Sequence, residues 1–173
     1  IPPWRGDETL YSWAAAFHVV AGNGSTRDTG SLLFGAAHAC RDRLAPSGID
    51  EFVRVTSGAL GDTESILRGR CPLAQFIPFL PSGRFESMLR HRRDPAFAGW
   101  GIQLGMPASK LSSKTRLRSC RMCIADDTHN FGIPRWRLPH QLAGAWVCLE
   151  HNCMLAVDST ASSQWLLPHT GAH

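Results

Sequence analysis

No run of about 18 apolar residues occurs in this 173-residue chain, so no helix of the length needed to cross a membrane is expected. No secretory leader is visible either. The opening Ile1-Pro2-Pro3-Trp4-Arg5 has no apolar stretch and no starting Met, so a trimmed chain or an unseen leader is expected. Catalytic signatures are missing as well. The chain has no H-E-x-x-H, no H-x-E ahead of P-C-x-x-C, and no strand-to-helix nucleophile elbow. It is therefore read as a protein that is not an enzyme. Internal repeats and low-complexity tracts are absent too, which argues against a solenoid. Charged residues are sparse at 18%, against 43% hydrophobic residues, a balance that supports one domain or two small ones with a moderate core.

Cysteine is what the chain does have. Cys120-Arg-Met-Cys123 is followed, after 24 residues, by Cys148-Leu-Glu-His151. This is C-x2-C … C-x2-H. Two residues between ligands let both side chains of a knuckle reach one ion, and two knuckles complete a tetrahedron around zinc. With no secretory signal, clustered cysteines beside a matching histidine read as metal ligands in a reducing, cytoplasmic setting rather than as disulfides. Cys120, Cys123, Cys148 and His151 are the expected ligands of one structural Zn2+. Cys153 is the alternative fourth ligand, although it breaks the two-residue spacing. Four ligands leave no open position for catalysis. A segment as short as 116–157 has too little core to fold alone, and a structural zinc would offset that deficit. The insert between the knuckles is expected to be rich in strand. Cys40 and Cys71 read as buried thiols.

Charge is distributed unevenly. Residues 1–83 carry a net −1, residues 84–121 a net +7 and residues 122–173 a net −2. The excess is held by Arg84, Arg90, Arg92, Arg93, Lys110, Lys114, Arg116, Arg118 and Arg121, running into the first knuckle. Such a block favours the phosphates of nucleic acid, the alternative being a solvated basic face or a patch for an acidic protein partner. Arg135 and Arg137 flank Trp136, which would stack on a base or fill the small core beside zinc. The candidate contact residues are Arg90, Arg92, Arg93, Lys110, Lys114, Arg116, Arg118, Arg121, Arg135 and Arg137.

The first half reads as serial short helices. Asp7 caps a helix with Leu10, Trp13, Ala14 and Phe17 on one face. Ser25 or Thr26 opens a second, ending at Gly35. Ser47 caps a third reaching Leu60, with Gly61 past its end. Asp62 or Thr63 opens a fourth, which Cys71-Pro72 breaks. Further helices are expected after Ser82 or Gly83 and at Asp94-Pro95. Residues 73–80 do not separate helix from strand. The fold class is mostly α: a helical region of helix-turn-helix character over 1–110, a small zinc-finger or zinc-ribbon module over 111–157, and a tail or truncated region over 158–173.

With these residues in view, the chain resembles the TniQ/TnsD family of transposition target-selection proteins. The resemblance is carried by Asp7-Glu8-Thr9-Leu10-Tyr11-Ser12-Trp13, by Leu32-Leu33-Phe34-Gly35, by Arg118-Ser119-Cys120-Arg121-Met122-Cys123, by Pro134-Arg135-Trp136-Arg137-Leu138-Pro139, and by Trp146-Val147-Cys148-Leu149-Glu150-His151 with Leu155. It implies a prokaryotic, non-enzymatic adaptor that links attachment-site DNA or an RNA-guided CRISPR effector complex to an AAA+ regulator of the TnsC kind. Implied partners are that regulator, DNA, the RNA-guided complex and a second copy of the chain. The resemblance carries over the same four zinc ligands. Members commonly continue into a second Cys pair, and no Cys follows Cys153 here. A free-standing, zinc-dependent DNA-binding regulator of transcription is the alternative.

Overall fold

This computed structural model describes residues 1–94, 97, 99–105, 116–158 and 164–170. The protein is mostly helical. Helix α1 spans Leu10–Val20 and buries Leu10, Trp13 and Ala14. Its cap is Thr9, whose hydroxyl accepts from the Ser12 amide at 3.0 Å. The sequence pattern places the cap at Asp7. The helix begins later because residues 7–9 are first held extended: Glu8 and Arg137 form an antiparallel bridge. The Leu138 amide donates to the Asp7 carbonyl at 2.8 Å, and the Thr9 amide to the Trp136 carbonyl at 3.0 Å.

Helix α2 spans Thr26–Phe34, capped by Ser25 and closed by Gly35 in the left-handed conformation. Helix α3 spans Ile49–Val55. Gly48 precedes it at φ 80°, and a Cβ there would meet the Phe34 carbonyl oxygen at 1.8 Å, so only glycine fits between α2 and α3. The pattern extends this helix to Leu60. It stops at Thr56 because the Thr56 hydroxyl donates to the Phe52 carbonyl at 2.8 Å and Ser57 and Gly58 turn to positive φ. Helix α4 spans Thr63–Arg70, capped by Asp62. A 3-10 segment over Pro72–Phe79 follows, then α5 over Arg84–His91. Helix α6 follows over Trp100–Gln103; the helix start expected at Asp94-Pro95 falls on Pro95 and Ala96, which lie outside the described residues. Among the described residues no helix is long and apolar enough to cross a membrane.

The C-terminal part holds two small antiparallel ladders. Strand β1 (Arg118–Ser119) pairs with β4 (Ala156–Val157), and β2 (Val147–Cys148) pairs with β3 (Cys153–Met154). The insert between the knuckles differs from the strand-rich expectation. It forms α7 (Arg121–Phe131), ended by Gly132 at φ 74°, and the short α8 (Leu138–Gln141). The apolar positions of α7 trace no clean stripe, because Cys123 and the polar Asp127 are among what it buries.

One large core joins both ends of the chain. Trp13 meets Phe52 edge-on at 5.3 Å, Phe52 stacks on Phe34 at 5.3 Å, and Phe34 stacks on Trp165 at 5.7 Å. Trp136 is 1% exposed within this same core and not beside the cysteines, so it has no free face for a base. Its indole donates to the Leu166 carbonyl at 2.6 Å, and its amide donates to the Ser12 hydroxyl at 2.9 Å. Trp165 is 2% exposed, and its indole donates to the Thr26 carbonyl at 3.2 Å.

Trp165→Ala is expected to lower unfolding stability by about 3–5 kcal/mol, the range for deleting a large buried aromatic. Urea unfolding followed by circular dichroism measures it; a midpoint unchanged from the parent chain would contradict this placement of residues 164–170.

Candidate metal centre

The end of β1 and the first turn of α7 present the first two cysteines. Cys120 stands at the N-cap of α7 and Cys123 one turn on, a spacing that puts both sulfurs on one helix face. Cys148 ends β2, and His151 lies in the connection to β3. The ligand atoms of these four residues all lie within 4.8 Å of one another, and the three cysteines are buried.

These separations suit a tetrahedral ion. Lengths of about 2.3 Å to sulfur and about 2.0–2.1 Å to nitrogen give tetrahedron edges of about 3.8 Å between sulfurs and about 3.6 Å from sulfur to nitrogen. The Nδ1 atom of His151 lies 3.6 Å from Cys120 Sγ, 3.3 Å from Cys123 Sγ and 3.6 Å from Cys148 Sγ. The sulfurs of Cys123 and Cys148 are 3.6 Å apart. The electrostatics point the same way. Burial pushes the Cys123 thiol up, the sulfurs of Cys148 and Cys120 add to this, and Arg137 only partly opposes it. Three thiolates this close need a cation among them, and a bound divalent ion reverses their preference for the protonated form. The group thus has the donors and the spacing for a metal ion.

A shell of carboxylates and arginines lies behind these donors, and sequence reasoning did not find it. Nε2 of His151 is 3.1 Å from Asp126 Oδ2. A carboxylate on the far ring nitrogen fixes the tautomer that leaves Nδ1 free as a donor. Asp127, one residue on, is 1% exposed and accepts from Arg137 Nη2 at 2.9 Å. Arg137 also reaches Glu150, within the second knuckle. Arg135 faces Asp127 at 3.5 Å and Asp7 at 3.4 Å. Helical spacing was the available signal, since Asp127 is i+4 from Cys123, and alternation puts Arg135 and Arg137 on one side of an extended segment.

The candidate contact residues therefore have different fates. Arg135 and Arg137 point inward, with side chains 10% and 7% exposed. Arg92 and Arg93 both donate to Asp50, at 2.6–2.8 Å and 3.1 Å. The Arg118 guanidinium lies 4.7 Å from the centre of the Trp146 ring, over its face. Arg90, Arg116 and Arg121 are exposed. Lys110 and Lys114 lie outside the described residues.

Two comparisons bear on this arrangement. The model of the TniQ family matches residues 1–155, spanning the helical part and all four donors of the Cys/His group. The chain is also 27% identical over 99 residues to the transposon Tn7 transposition protein TnsD of Escherichia coli. That match covers 55% of this chain but 20% of TnsD, so the chain corresponds to about a fifth of that relative's length.

Cys123→Ser together with Cys148→Ser is expected to abolish tight binding of one metal equivalent and to open residues 116–158 to protease, since structural zinc contributes about 10–16 kcal/mol in comparable peptides. Elemental analysis and limited proteolysis check this together; intact protection without metal would refute it. The Asp50 site gives a pH prediction. Partial burial works against its carboxylate, but hydrogen bonds from Arg92, Arg93 and Thr63 outweigh it and hold its pKa well below the ordinary range. The contribution is thus complete above the unfolded value of about 3.9 and is lost as pH falls through the lower folded value. Asp50→Asn should cost about 1–3 kcal/mol at pH 7 and flatten the acid limb of the stability profile, as read by urea midpoints from pH 7 to pH 2.

Proposed function

Because this chain belongs to the TniQ family, we propose that it acts in DNA transposition as a non-catalytic adaptor, joining a target-recognition element to an AAA+ regulator. The observation that carries this reading is the single family match running through both the helical part and the metal group. The similarity to a Tn7 transposition protein adds to it. The recognition element would be attachment-site DNA or an RNA-guided complex.

Cys120, Cys123, Cys148 and His151 would hold one zinc ion, which supplies a structural cross-link when bound. The chain's own residues do the rest. Arg137 ties α7, through Asp127, to the second knuckle, through Glu150. The segment carrying Trp136 is fastened to residues 7–12 by three hydrogen bonds. A partner gripping either part thereby grips both, which is what a scaffold between two macromolecules needs. Arg90, Arg116 and Arg121 are assigned to phosphate, since they are the basic candidates that stand exposed among the described residues without an acidic partner within the fold.

The test is capture of the AAA+ ATPase encoded beside the cognate transposase, together with transposition frequency in cells lacking this chain. Capture and a drop in frequency support the adaptor. Neither effect, with sequence-selective duplex binding that needs no ATPase, would replace it with a free-standing regulator. For the basic residues, Arg90→Ala, Arg116→Ala and Arg121→Ala together should weaken DNA binding on all sequences and reduce the salt slope by about 0.9 for each phosphate no longer neutralised. An unchanged slope in a titration from low to physiological salt would remove these arginines from the interface.

A further inference from the structure

Beside the four grouped donors, Cys120, Cys123, Cys148 and His151, stands a fifth sulfur, that of Cys153. Cys148 ends β2, Cys153 begins β3, and the two stand directly opposite each other in the antiparallel register. Opposed residues of such a pair present their side chains to the same face. A hairpin that aims Cys148 at the group therefore aims Cys153 there too. The distance to the nearest ligand sulfur agrees. Cys153 Sγ lies 3.4 Å from Cys120 Sγ, close to the edge of about 3.8 Å that a shared ion sets between two sulfurs. His151 occupies the connection between the two cysteines, which turns at Asn152 with φ 47°. Its ring has a second hold, because Nε2 keeps Asp126 at 3.1 Å. His151 therefore has a partner even when Nδ1 leaves the ion.

We propose that Cys153 exchanges with His151 as fourth ligand, so that the group closes around a soft divalent cation either with three sulfurs and the His151 ring or with four sulfurs, Cys153 included. The exchange is balanced without any redox partner. The Cys153 thiol gives its proton to water as its sulfur binds, His151 departs as neutral imidazole toward Asp126, and the site gains one unit of negative charge. Softer ions favour the sulfur-rich set, so cadmium shifts the group toward four sulfurs and zinc leaves it nearer the set that includes the imidazole. The exchange rests on the group holding a cation at all.

The test uses the full chain and cobalt(II) as a spectroscopic probe. His151→Ala should keep one equivalent of cobalt, with thiolate-to-metal absorption about one third stronger as four sulfurs replace three. Adding Cys153→Ser to that variant should weaken binding by a further factor of about 100. Equal loss of cobalt in the single and the double variant would overturn the proposal. Should His151→Ala fail to fold, cadmium NMR on the unaltered chain decides. A four-sulfur resonance that Cys153→Ser converts to a three-sulfur one supports Cys153, and a three-sulfur resonance in both chains overturns it. Failure of the unaltered chain to bind any metal would sink the whole group, whereas metal binding that ignores Cys153 would sink this ligand alone.

Discussion

Four side chains fill the interior of the smaller cluster among the described residues, and three of them are cysteines of the metal group: Cys120, Cys123 and Cys148, joined by Leu155. So little apolar area cannot offset the entropy of ordering the residues around it. The ladders are two residues each and add few hydrogen bonds. A metal ion drawn in by the convergence of the sulfurs and His151 would supply cohesion that this apolar area does not. Helix α7 starts just after Cys120, so that its first turn carries Cys123 inward. The β2–β3 hairpin brings Cys148 and His151 from the opposite side.

The second constraint is the joint between this cluster and the helical core. Burying Arg137 and Asp127 together costs desolvation that the pair's attraction does little more than cancel. Removing either partner alone would strand a buried charge, which is far more costly. The pair fixes the segment 134–138 in one register, with Trp136 directed into the aromatic core and Arg137 directed toward α7. The same segment bridges Glu8 at the entrance to α1. Two stretches that are far apart in the sequence thus act as one element, and the metal group cannot rotate freely against the helices.

This packing changes the meaning of the basic segment. Positive charge in a sequence suggests a polyanion, but a folded chain uses some of its cations on its own carboxylates. Arg92 and Arg93 share Asp50, and Arg135 and Arg137 share Asp127. What faces solvent is a smaller set, with Arg90, Arg116 and Arg121 among it. Electrostatic steering toward DNA would rest on these, and its strength would fall with salt as their counterions compete.

The donor group was legible from the order of residues alone, because C-x2-C and C-x2-H are local spacings whose geometry hardly depends on the surrounding fold. So were the helical first half and several of its ends, since Ser25, Gly35, Asp62 and Cys71-Pro72 act within one turn of chain. Other outcomes waited on packing in three dimensions: the insert coils into α7, Trp136 joins the helical core, and Trp165 returns to stack on Phe34. Packing likewise chose which arginines turn inward. The placement of both tryptophans depends on partners more than a hundred residues away, Ser12 for Trp136 and Thr26 for Trp165, and no local spacing encodes where such partners meet.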